Sequence, residues 1–331
     1  MPSVETILFA LVIAMGYIYA FVGGFTDAAN AIATSIGTRV LTPTAAVLTA
    51  GFFNLLGGLT GTAVAVTIGS GIVDPSQLTL VTVIAGLGGA MTWSLITYFF
   101  GIPVSETHGL IGGLIGAGVA TAGTDVVQWG TLEGVGAALV LSPIIGFLGA
   151  AILLIAIYWA FHRVRRGRVM PIFVNLQRAS AAFMSFSHGR NDAQKPMGVL
   201  ALGLSLYYGR GELTVPLWVV VSVATTAAFG TAMGGWRIIH TLGQRIVKLD
   251  PVQGFAAETS AAGVLQLASS LGIPISTTHA ITSSILGAGA TRRVSAVRWG
   301  VTRQIFLSWL LTVPVAALLG AVYVFILRPI T

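Results

Sequence analysis

Apolar residues form ten long runs along the chain, with short polar or proline-containing loops between them. An α-helix needs about 20 apolar residues to cross the hydrocarbon core of a bilayer, and each run approaches or exceeds that length. The runs cover residues 6–23, 45–69, 79–100, 102–120, 132–161, 179–207, 214–236, 252–271, 273–290 and 304–327. The pattern therefore predicts an all-α polytopic membrane protein that is surrounded by the lipid bilayer.

The composition supports this class. Charged residues make up 8% and hydrophobic residues 55% of the 331 residues, whereas soluble domains carry about 25% charged residues. The formal net charge is +7; in a membrane protein such a basic excess marks cytoplasmic loops, and we expect no nucleic-acid partner. Because the chain has no Cys, disulfides and thiolate metal sites are excluded.

The two halves of the chain are related in sequence. Residues 101–118 and 272–289, at an offset of 171, are identical at nine of eighteen positions. Asp27 and Asp192 lie in a second related pair of segments, at an offset of 165. We therefore expect two structural repeats. The predicted division is an N-terminal repeat at 1–161, a basic cytoplasmic loop at 162–178 and a C-terminal repeat at 179–331.

The distribution of basic residues predicts how the repeats are oriented. With five membrane segments in each repeat, thirteen of the 17 Lys and Arg residues fall in loops on one side. The positive-inside rule makes this side cytoplasmic and places both termini outside. An odd number of crossings per repeat turns the second repeat upside down. The sequence thus predicts inverted-topology repeats with broken or re-entrant helices at the centre, as in secondary transporters.

The most polar stretch within the apolar runs extends from Phe186 to Gly198. Six of its residues carry charged, amide or imidazole groups: His188, Arg190, Asn191, Asp192, Gln194 and Lys195. Ionisable groups at bilayer depth cost about 2.5–3.5 kcal/mol each on insertion scales, so they persist mainly where they have a function. Gly189 and Pro196 are expected to break the helix around these groups, which would expose backbone dipoles at a binding site.

Asp27 and Asp192 are the carboxylates that the repeat relates, and Asn30 and Asn191 accompany them. With carbonyl groups freed at the adjacent glycines, these side chains suit a coupled cation. Asp27 and Asp192 would be the metal ligands if that cation is Na⁺, and the alternative cation is a proton. Each Asp could instead cap a helix that starts one residue later. Because Ser would cap equally well, a buried acid at both positions favours the cation site.

Ser105 and Thr107 in the first repeat, and Ser276 and Thr278 in the second, follow a proline and open a helix. Free N–H groups, hydroxyls and the positive end of the helix dipole make such helix starts anion sites. Ordinary N-capping by Ser is the alternative. The repetition favours two helix starts that bind one tetrahedral oxyanion.

Two histidines and two further acids accompany these segments. His108 and His279 could titrate near neutral pH or hold the adjacent loops in place, and the sequence does not decide between these roles. Glu106 lies in the first helix start, where a carboxylate would repel an anion, so we expect it to turn away or to cap. Glu258 is either a proton or cation site or the ion-pair partner of Lys195.

The polar stretch also contains cations that could serve the substrate. Arg190 and Lys195 either contact the substrate or neutralise Asp192, and Lys195 lies three residues after Asp192 on one helix face. We assign Lys195 and the adjacent Gln194 to the substrate site.

Together these motifs resemble the bacterial branch of the inorganic phosphate transporter (PiT) family, over essentially the whole chain. The resemblance is carried by residues 24–34, residues 188–195 and the Ser-x-Thr-His sequence of each half. It implies a non-enzymatic importer of inorganic phosphate that uses Na⁺ or H⁺ and, in some bacteria, takes metal–phosphate complexes. It also implies a multi-pass homodimer in the plasma (inner) membrane of a prokaryote.

The resemblance assigns roles to residues already singled out. It places Asp27, Asn30, Asn191 and Asp192 at the ion site. It also places the Ser and Thr residues of both helix starts near the phosphate.

The sequence departs from the family signature at Thr26 and Lys195, which stand where the two copies carry Asn. A fixed ammonium repels a second cation, so we expect coupling to H⁺ over Na⁺, with Glu258, His108 or His279 carrying the proton and no cofactor. A permease for sulfate or another tetrahedral oxyanion and an anion channel are the alternatives. A membrane enzyme is disfavoured, because we find no nucleophile–base pair in a suitable context.

Overall fold

A computed structural model describes residues 2–209 and 213–330 of the chain. Over these residues the backbone is almost entirely helical, and the one β-like contact is an isolated bridge between Val73 and Val127. The helices are α1 (Val4–Gly37), α2 (Pro43–Gly58), α3 (Ala63–Ser70), α4 (Leu80–Phe99), α5 (Glu106–Ala122), α6 (Trp129–Ala160), α7 (Arg166–Asp192), α8 (Gln194–Tyr208), α9 (Leu217–Met233), α10 (Trp236–His240), α11 (Pro251–Ser270), α12 (Thr277–Arg292) and α13 (Trp299–Leu327). The predicted all-α class is confirmed.

Four of the described helices are long and apolar enough to cross a membrane on their own, namely α1, α4, α6 and α13. Two bent pairs would raise the number to six: α2 with α3, at 75°, and α9 with the segment Trp236–Arg245, at 57°. The apolar run at 45–69 is therefore divided. The division lies between α2 and α3, where Gly61 has a φ of +101°, a conformation that favours glycine.

The order of elements recurs in the second half of the chain. The turns before α5 and α12 each contain a left-handed glycine, Gly101 and Gly272. The long helices α6 and α13 each contain one proline, Pro143 and Pro314. Packing is reciprocal, because α5 lies against α13 and α12 against α6, while α2 lies against α7 and α9 against α1. This recurrence agrees with the sequence repeat, and the inverted orientation of the halves stays a prediction.

The stretch expected to be a loop at 162–178 is helical from Arg166 onward, as the first part of α7. Arg is a good helix former, and Val169, Phe173 and Gln177 are buried at a spacing of four residues along one face. The high charge of this stretch hid its amphipathic pattern. The connection between α6 and α7 is therefore only a short turn.

Gly189 does not break α7, contrary to the expectation. A Cβ atom at this position would lie 2.1 Å from the backbone oxygen of Asn54, so glycine permits close packing of α7 on α2. The interruption falls at Ala193, between α7 and α8. Pro196 lacks the N–H group that would bond to the carbonyl of Asp192 four residues earlier, which accounts for the break.

In the first half, α1 runs unbroken through Asp27. The expected helix break at Asp27 is therefore wrong, and so is the alternative in which this acid caps a helix. Asp192 is the last residue of α7, and the N-cap position of α8 is Ala193, without a side-chain cap. The two repeat-related acids are therefore placed differently, one inside a helix and the other at a helix end.

Candidate functional site

Asp27 and Asp192 lie beside the same threonine at the start of α12. The Thr277 hydroxyl oxygen is 3.1 Å from Oδ2 of Asp192 and 3.5 Å from Oδ2 of Asp27. Asp27 is buried, and the Asp192 side chain is 15% exposed. The structure thus brings the two repeat-related acids together. Thr277 itself was not predicted, because the motif drew attention to the Ser and Thr on either side of it.

Two amides attach this helix start to α1 and α7. Asn30 donates through Nδ2 to the hydroxyls of Thr277, at 3.2 Å, and Thr278, at 2.9 Å. Asn191 donates to Oδ1 of Asp192, at 2.8 Å, and to the carbonyl of Ile275, at 3.0 Å. Asn191 therefore ties Asp192 to the loop before α12, and Asn30 ties α1 to the first turn of α12.

Asp192 has a cation and an imidazole as neighbours. Lys195 Nζ lies 2.6 Å from Oδ1, and His188 Nε2 lies 3.2 Å from Oδ2. On its other side, His188 Nδ1 is 2.9 Å from the amide nitrogen of Asn54, which also donates to Thr231 at 2.8 Å. Because Asn54 donates to Nδ1, the imidazole presents its Nε2 to Asp192.

Glu258 is fully buried among polar side chains of α1 and α7. It accepts hydrogen bonds from the Thr34 hydroxyl at 2.5 Å, the Ser180 hydroxyl at 2.5 Å and the Gln177 amide at 3.2 Å. The ion pair with Lys195 that the sequence left open is therefore wrong. Thr34, the α1 partner of Glu258, is two helical turns beyond Asp27, or about 10 Å along the helix axis. Glu258 and Asp27 therefore lie at different positions along α1.

Glu106 does not turn away from the site. Its carboxylate is buried and accepts hydrogen bonds from the Thr26 hydroxyl, at 2.9 Å, and from the Ser94 hydroxyl. The expectation is wrong because it considered only the repulsion between Glu106 and a bound anion. Hydroxyl donors from α1 and α4 stabilise the carboxylate at the site. The signal in the sequence was Thr26, whose hydroxyl supplies the donor that Glu106 needs.

A small cavity lies beside several of these groups. Its polar lining is Tyr19, Asn54, Glu106, His188, Asp192 and Lys195. The volume is about 20 Å³, more than the 10–15 Å³ that a water molecule needs but far below ligand pockets of about 300 Å³ or more. This conformation therefore has room for one water-sized group, and a larger substrate requires the helices around the cavity to move.

The two Ser residues of the predicted anion site are N-caps. Ser105 accepts from the N–H of His108, and Ser276 from the N–H of His279, each at 3.1 Å. The structure therefore shows ordinary N-capping by both serines, which was the alternative to anion binding. The first two N–H groups of each helix lie before the capped one and have no partner within the helix.

The two helix starts meet. The Thr107 hydroxyl donates to the carbonyl of Ile275, at 2.9 Å, in the loop just before α12. The starts of α5 and α12 therefore lie next to each other beside the acid pair, as the oxyanion hypothesis requires.

His279 stacks on Trp309 of α13, and the His108 ring lies tilted beside that of His279. The centroids of the two histidine rings are 4.6 Å apart, and the His279 ring lies 3.7 Å from that of Trp309. Trp309 in turn donates from Nε1 to the carbonyl of Pro103, at 3.2 Å. The link from His279 through Trp309 to Pro103 favours a role in holding the loop before α5, and a proton-carrying role remains a hypothesis.

Gln194 and Arg190 are engaged elsewhere. Gln194 Oε1 accepts from the N–H of Val64, at 2.8 Å, at the start of α3. Arg190 donates to Gln266 on α11, at 2.5 Å. Neutralisation of Asp192 by Arg190 is therefore wrong, and Lys195 performs that task.

Asp27, His188 and Asp192 form a cluster that could hold a cation, since one ligand atom from each lies within 4.8 Å of the others. The fold and this site define the class of protein. A helical membrane protein that buries acids, amides and an ammonium beside paired helix starts is built for transport.

Comparison with known proteins identifies the family. Residues 23–320 match the Phosphate transporter family, and the chain belongs to that family. It is 48% identical over 315 residues to a "Probable low-affinity inorganic phosphate transporter" of Rhizobium meliloti (strain 1021), covering 95% of this chain and 94% of that protein. A protein of the same name from Bacillus subtilis (strain 168) is 40% identical over 329 residues, with 98% of both chains covered.

A solved structure is also similar. The structure titled "The sodium-dependent phosphate transporter" matches with a TM-score of 0.88 and 26% sequence identity, covering 98% of this chain and 100% of that chain. The family resemblance, the helical membrane fold and a transport rather than enzymatic role are confirmed.

Proposed function

We propose that this protein is a secondary active transporter that imports inorganic phosphate together with protons. Family membership and the names of its relatives support phosphate as the substrate. The observation that supports coupling to protons is the ion pair between Lys195 and Asp192, with a nitrogen–oxygen distance of 2.6 Å.

The charge balance of the site supports coupling to a cation. Asp27 and Asp192 lie beside the same Thr277 hydroxyl, and Glu106 and Asp192 line the same small cavity. Lys195 is the one ammonium among these acids in the described structure. Burying unpaired carboxylates is expensive, and two of them would also repel an entering phosphate anion. We therefore expect a cation to bind at Asp27 and Glu106 together with phosphate, as in a symporter.

Lys195 favours a proton as that cation. Its ammonium already occupies the position next to Asp192, where a metal ion would otherwise bind, and it repels a second fixed cation. A proton removes the negative charge of a carboxylate without requiring a new set of ligands. Asp27 and Glu106 are the candidate proton carriers nearest to the Lys195–Asp192 ion pair. Glu258 is a further candidate, in a separate place.

Sodium coupling is the second candidate. It is favoured by the cluster of Asp27, Asp192 and His188 and by the similarity to a transporter named for its sodium dependence. In that case the oxygens of Asp27 and Asp192 would bind Na⁺, and Thr277 would add a hydroxyl. Sulfate in place of phosphate, a metal–phosphate complex as the substrate, and an anion channel are further alternatives.

Uptake of labelled phosphate into proteoliposomes tests the proposal, with pH and sodium gradients imposed separately. We expect accumulation with an inward proton gradient and without sodium. Accumulation that needs sodium and ignores the proton gradient would favour the second candidate. Counterflow of labelled phosphate separates a carrier from a channel, and excess sulfate tests selectivity.

We further propose that the protein is a homodimer in the prokaryotic plasma membrane, with both termini outside. Many apolar side chains lie exposed on the long helices, for example Leu310 on α13, at 75% exposure, and Ile152 on α6, at 65%. Such a surface suits lipid or a second copy of the chain. Light scattering of the detergent-solubilised protein distinguishes a dimer from a monomer.

A further inference from the structure

A second cavity lies away from the buried acids, at the C-terminal end of α6. Its volume is about 340 Å³, and it is lined by the end of α6, the first turns of α7, the start of α11 and the last turn of α12. Ile157, Phe161 and Met170 supply apolar walls, while Arg166 and Arg292 supply positive charge. The cavity therefore combines an apolar interior with a basic rim.

The positive charge of this rim is only partly neutralised. Arg166 pairs with Oδ2 of Asp250 at 3.3 Å, but Asp250 also caps α11, where its Oδ1 accepts from two backbone N–H groups at 3.1 Å. Within the described residues, no carboxylate lies at ion-pair distance from Arg292. The rim thus has donors available for a ligand that carries a negative charge.

The start of α7 adds to this potential. Its N-cap residue is Arg165, whose side chain makes no capping hydrogen bond. The first N–H groups of α7 therefore have no side-chain cap, and the positive end of the helix dipole lies at the same rim.

The position of the cavity relates it to the membrane surface. α6 is one of the candidate spans, and the cavity lies where that span ends. Tyr158 and Trp159 are exposed there, as aromatic residues commonly are at a membrane–water interface. Ile155, three residues before Tyr158, and Ile152, a further three residues back, are also exposed. An apolar surface therefore runs from the mouth of the cavity along α6 into the membrane.

We propose that this cavity binds an anionic phospholipid. Arg166 and Arg292 bind the headgroup phosphate, and the acyl chains lie along Tyr158, Ile155 and Ile152. The apolar track favours a lipid over a free phosphate ion, because an ion would use the rim and leave the track unexplained. Basic pockets between membrane helices are a known form of lipid recognition. None of these residues belongs to the transport site, so the proposal does not depend on the coupling mechanism.

Lipid retention by the purified protein tests this inference. The protein in detergent is titrated with phosphatidylglycerol or phosphatidylcholine, and bound lipid is counted by native mass spectrometry. Since charge-assisted Arg–phosphate contacts are among the stronger hydrogen bonds, we expect wild type to favour phosphatidylglycerol by about ten-fold. Arg166→Gln/Arg292→Gln should lose this preference. The matched control Arg298→Gln/Arg303→Gln removes the same charge outside the cavity and should keep it.

A single substitution serves as a second test in case the double variant does not fold. Arg292→Gln leaves the Arg166–Asp250 ion pair and the cap of α11 intact, and it should still reduce the preference for phosphatidylglycerol. An unchanged preference in Arg292→Gln, or equal retention of the two lipids by wild type, would overturn the proposal. Displacement of phosphatidylglycerol by millimolar inorganic phosphate would overturn it as well, because the site would then serve a free anion.

Discussion

Lys195 Nζ lies 2.6 Å from Oδ1 of Asp192, three residues earlier in the chain and across the break between α7 and α8. The contact gives one of the two repeat-related acids a permanent counter-ion, while Asp27 has none within the described residues. The two halves of the site are therefore electrically different, although the sequence repeat relates them.

Removing this ammonium should change the coupling ion. Lys195→Asn removes the ammonium partner of Asp192 and leaves the contacts with His188, Asn191 and Thr277, so we expect a lower melting temperature. A site without the fixed charge should accept Na⁺, and uptake should become partly sodium-dependent. Lys248→Asn, at an exposed position, is the matched control. Uptake by Lys195→Asn that stays indifferent to sodium would refute the charge argument.

We expect Glu106 to be needed for proton-driven accumulation of phosphate more than for phosphate exchange across the membrane. Glu106→Gln removes the titratable group but retains an oxygen that can accept from Thr26 and Ser94. We therefore expect phosphate counterflow to persist while accumulation driven by a proton gradient falls at least about ten-fold, as for loss of about 1.4 kcal/mol of driving free energy.

Glu133→Gln, on the exposed surface, controls for the loss of one carboxylate from the chain. If Glu106→Gln accumulates phosphate as wild type does, Glu106 has a structural role only. If counterflow also disappears, the residue is required for substrate binding or for folding, which a melting curve separates.

The caps of α5 and α12 should contribute to both stability and affinity. Ser276→Ala removes the hydrogen bond to the N–H of His279 and should destabilise the protein by about 1 kcal/mol, as is typical of lost N-caps. Ser276→Asp should restore stability, but it places a negative charge at the helix start and should weaken phosphate binding. If phosphate affinity is the same in both variants, the helix start does not bind the anion.

The predicted orientation can be checked by labelling, because the chain has no Cys of its own. Single cysteines in place of Asp125, Arg168 and Ser295 lie at exposed positions in the structure. The positive-inside rule places only the first of them outside. An impermeant maleimide should therefore label intact cells at position 125 alone, and labelling at 168 from outside would reverse the orientation.

Features that depend on local sequence could be predicted. The helix starts at Ser105 and Ser276 were visible as Pro-x-Ser motifs, and apolar runs marked most of the helices. The internal repeat related Asp27 and Asp192 as candidate ligands of one cation, and in the structure both lie beside Thr277.

Features that depend on contacts between distant segments could not be predicted. Glu258 could have paired with Lys195 by charge alone, and only the packing of α7 on α11 shows that Gln177 and Ser180 are its partners. The role of Gly189 was also ambiguous in the sequence, because glycine occurs both at close helix contacts and at helix breaks. Gly189 turned out to serve the contact.

The central claim is that protons enter with phosphate because the acids beside Lys195 must be neutralised. It is tested most directly by following proton movement. Sodium-free proteoliposomes are loaded with a pH-sensitive dye, the membrane potential is clamped, and phosphate is added outside. We predict acidification of the lumen that depends on phosphate and is at least halved in Asp27→Asn. Phosphate entry without lumenal acidification, or entry that begins only when Na⁺ is supplied, would contradict the account.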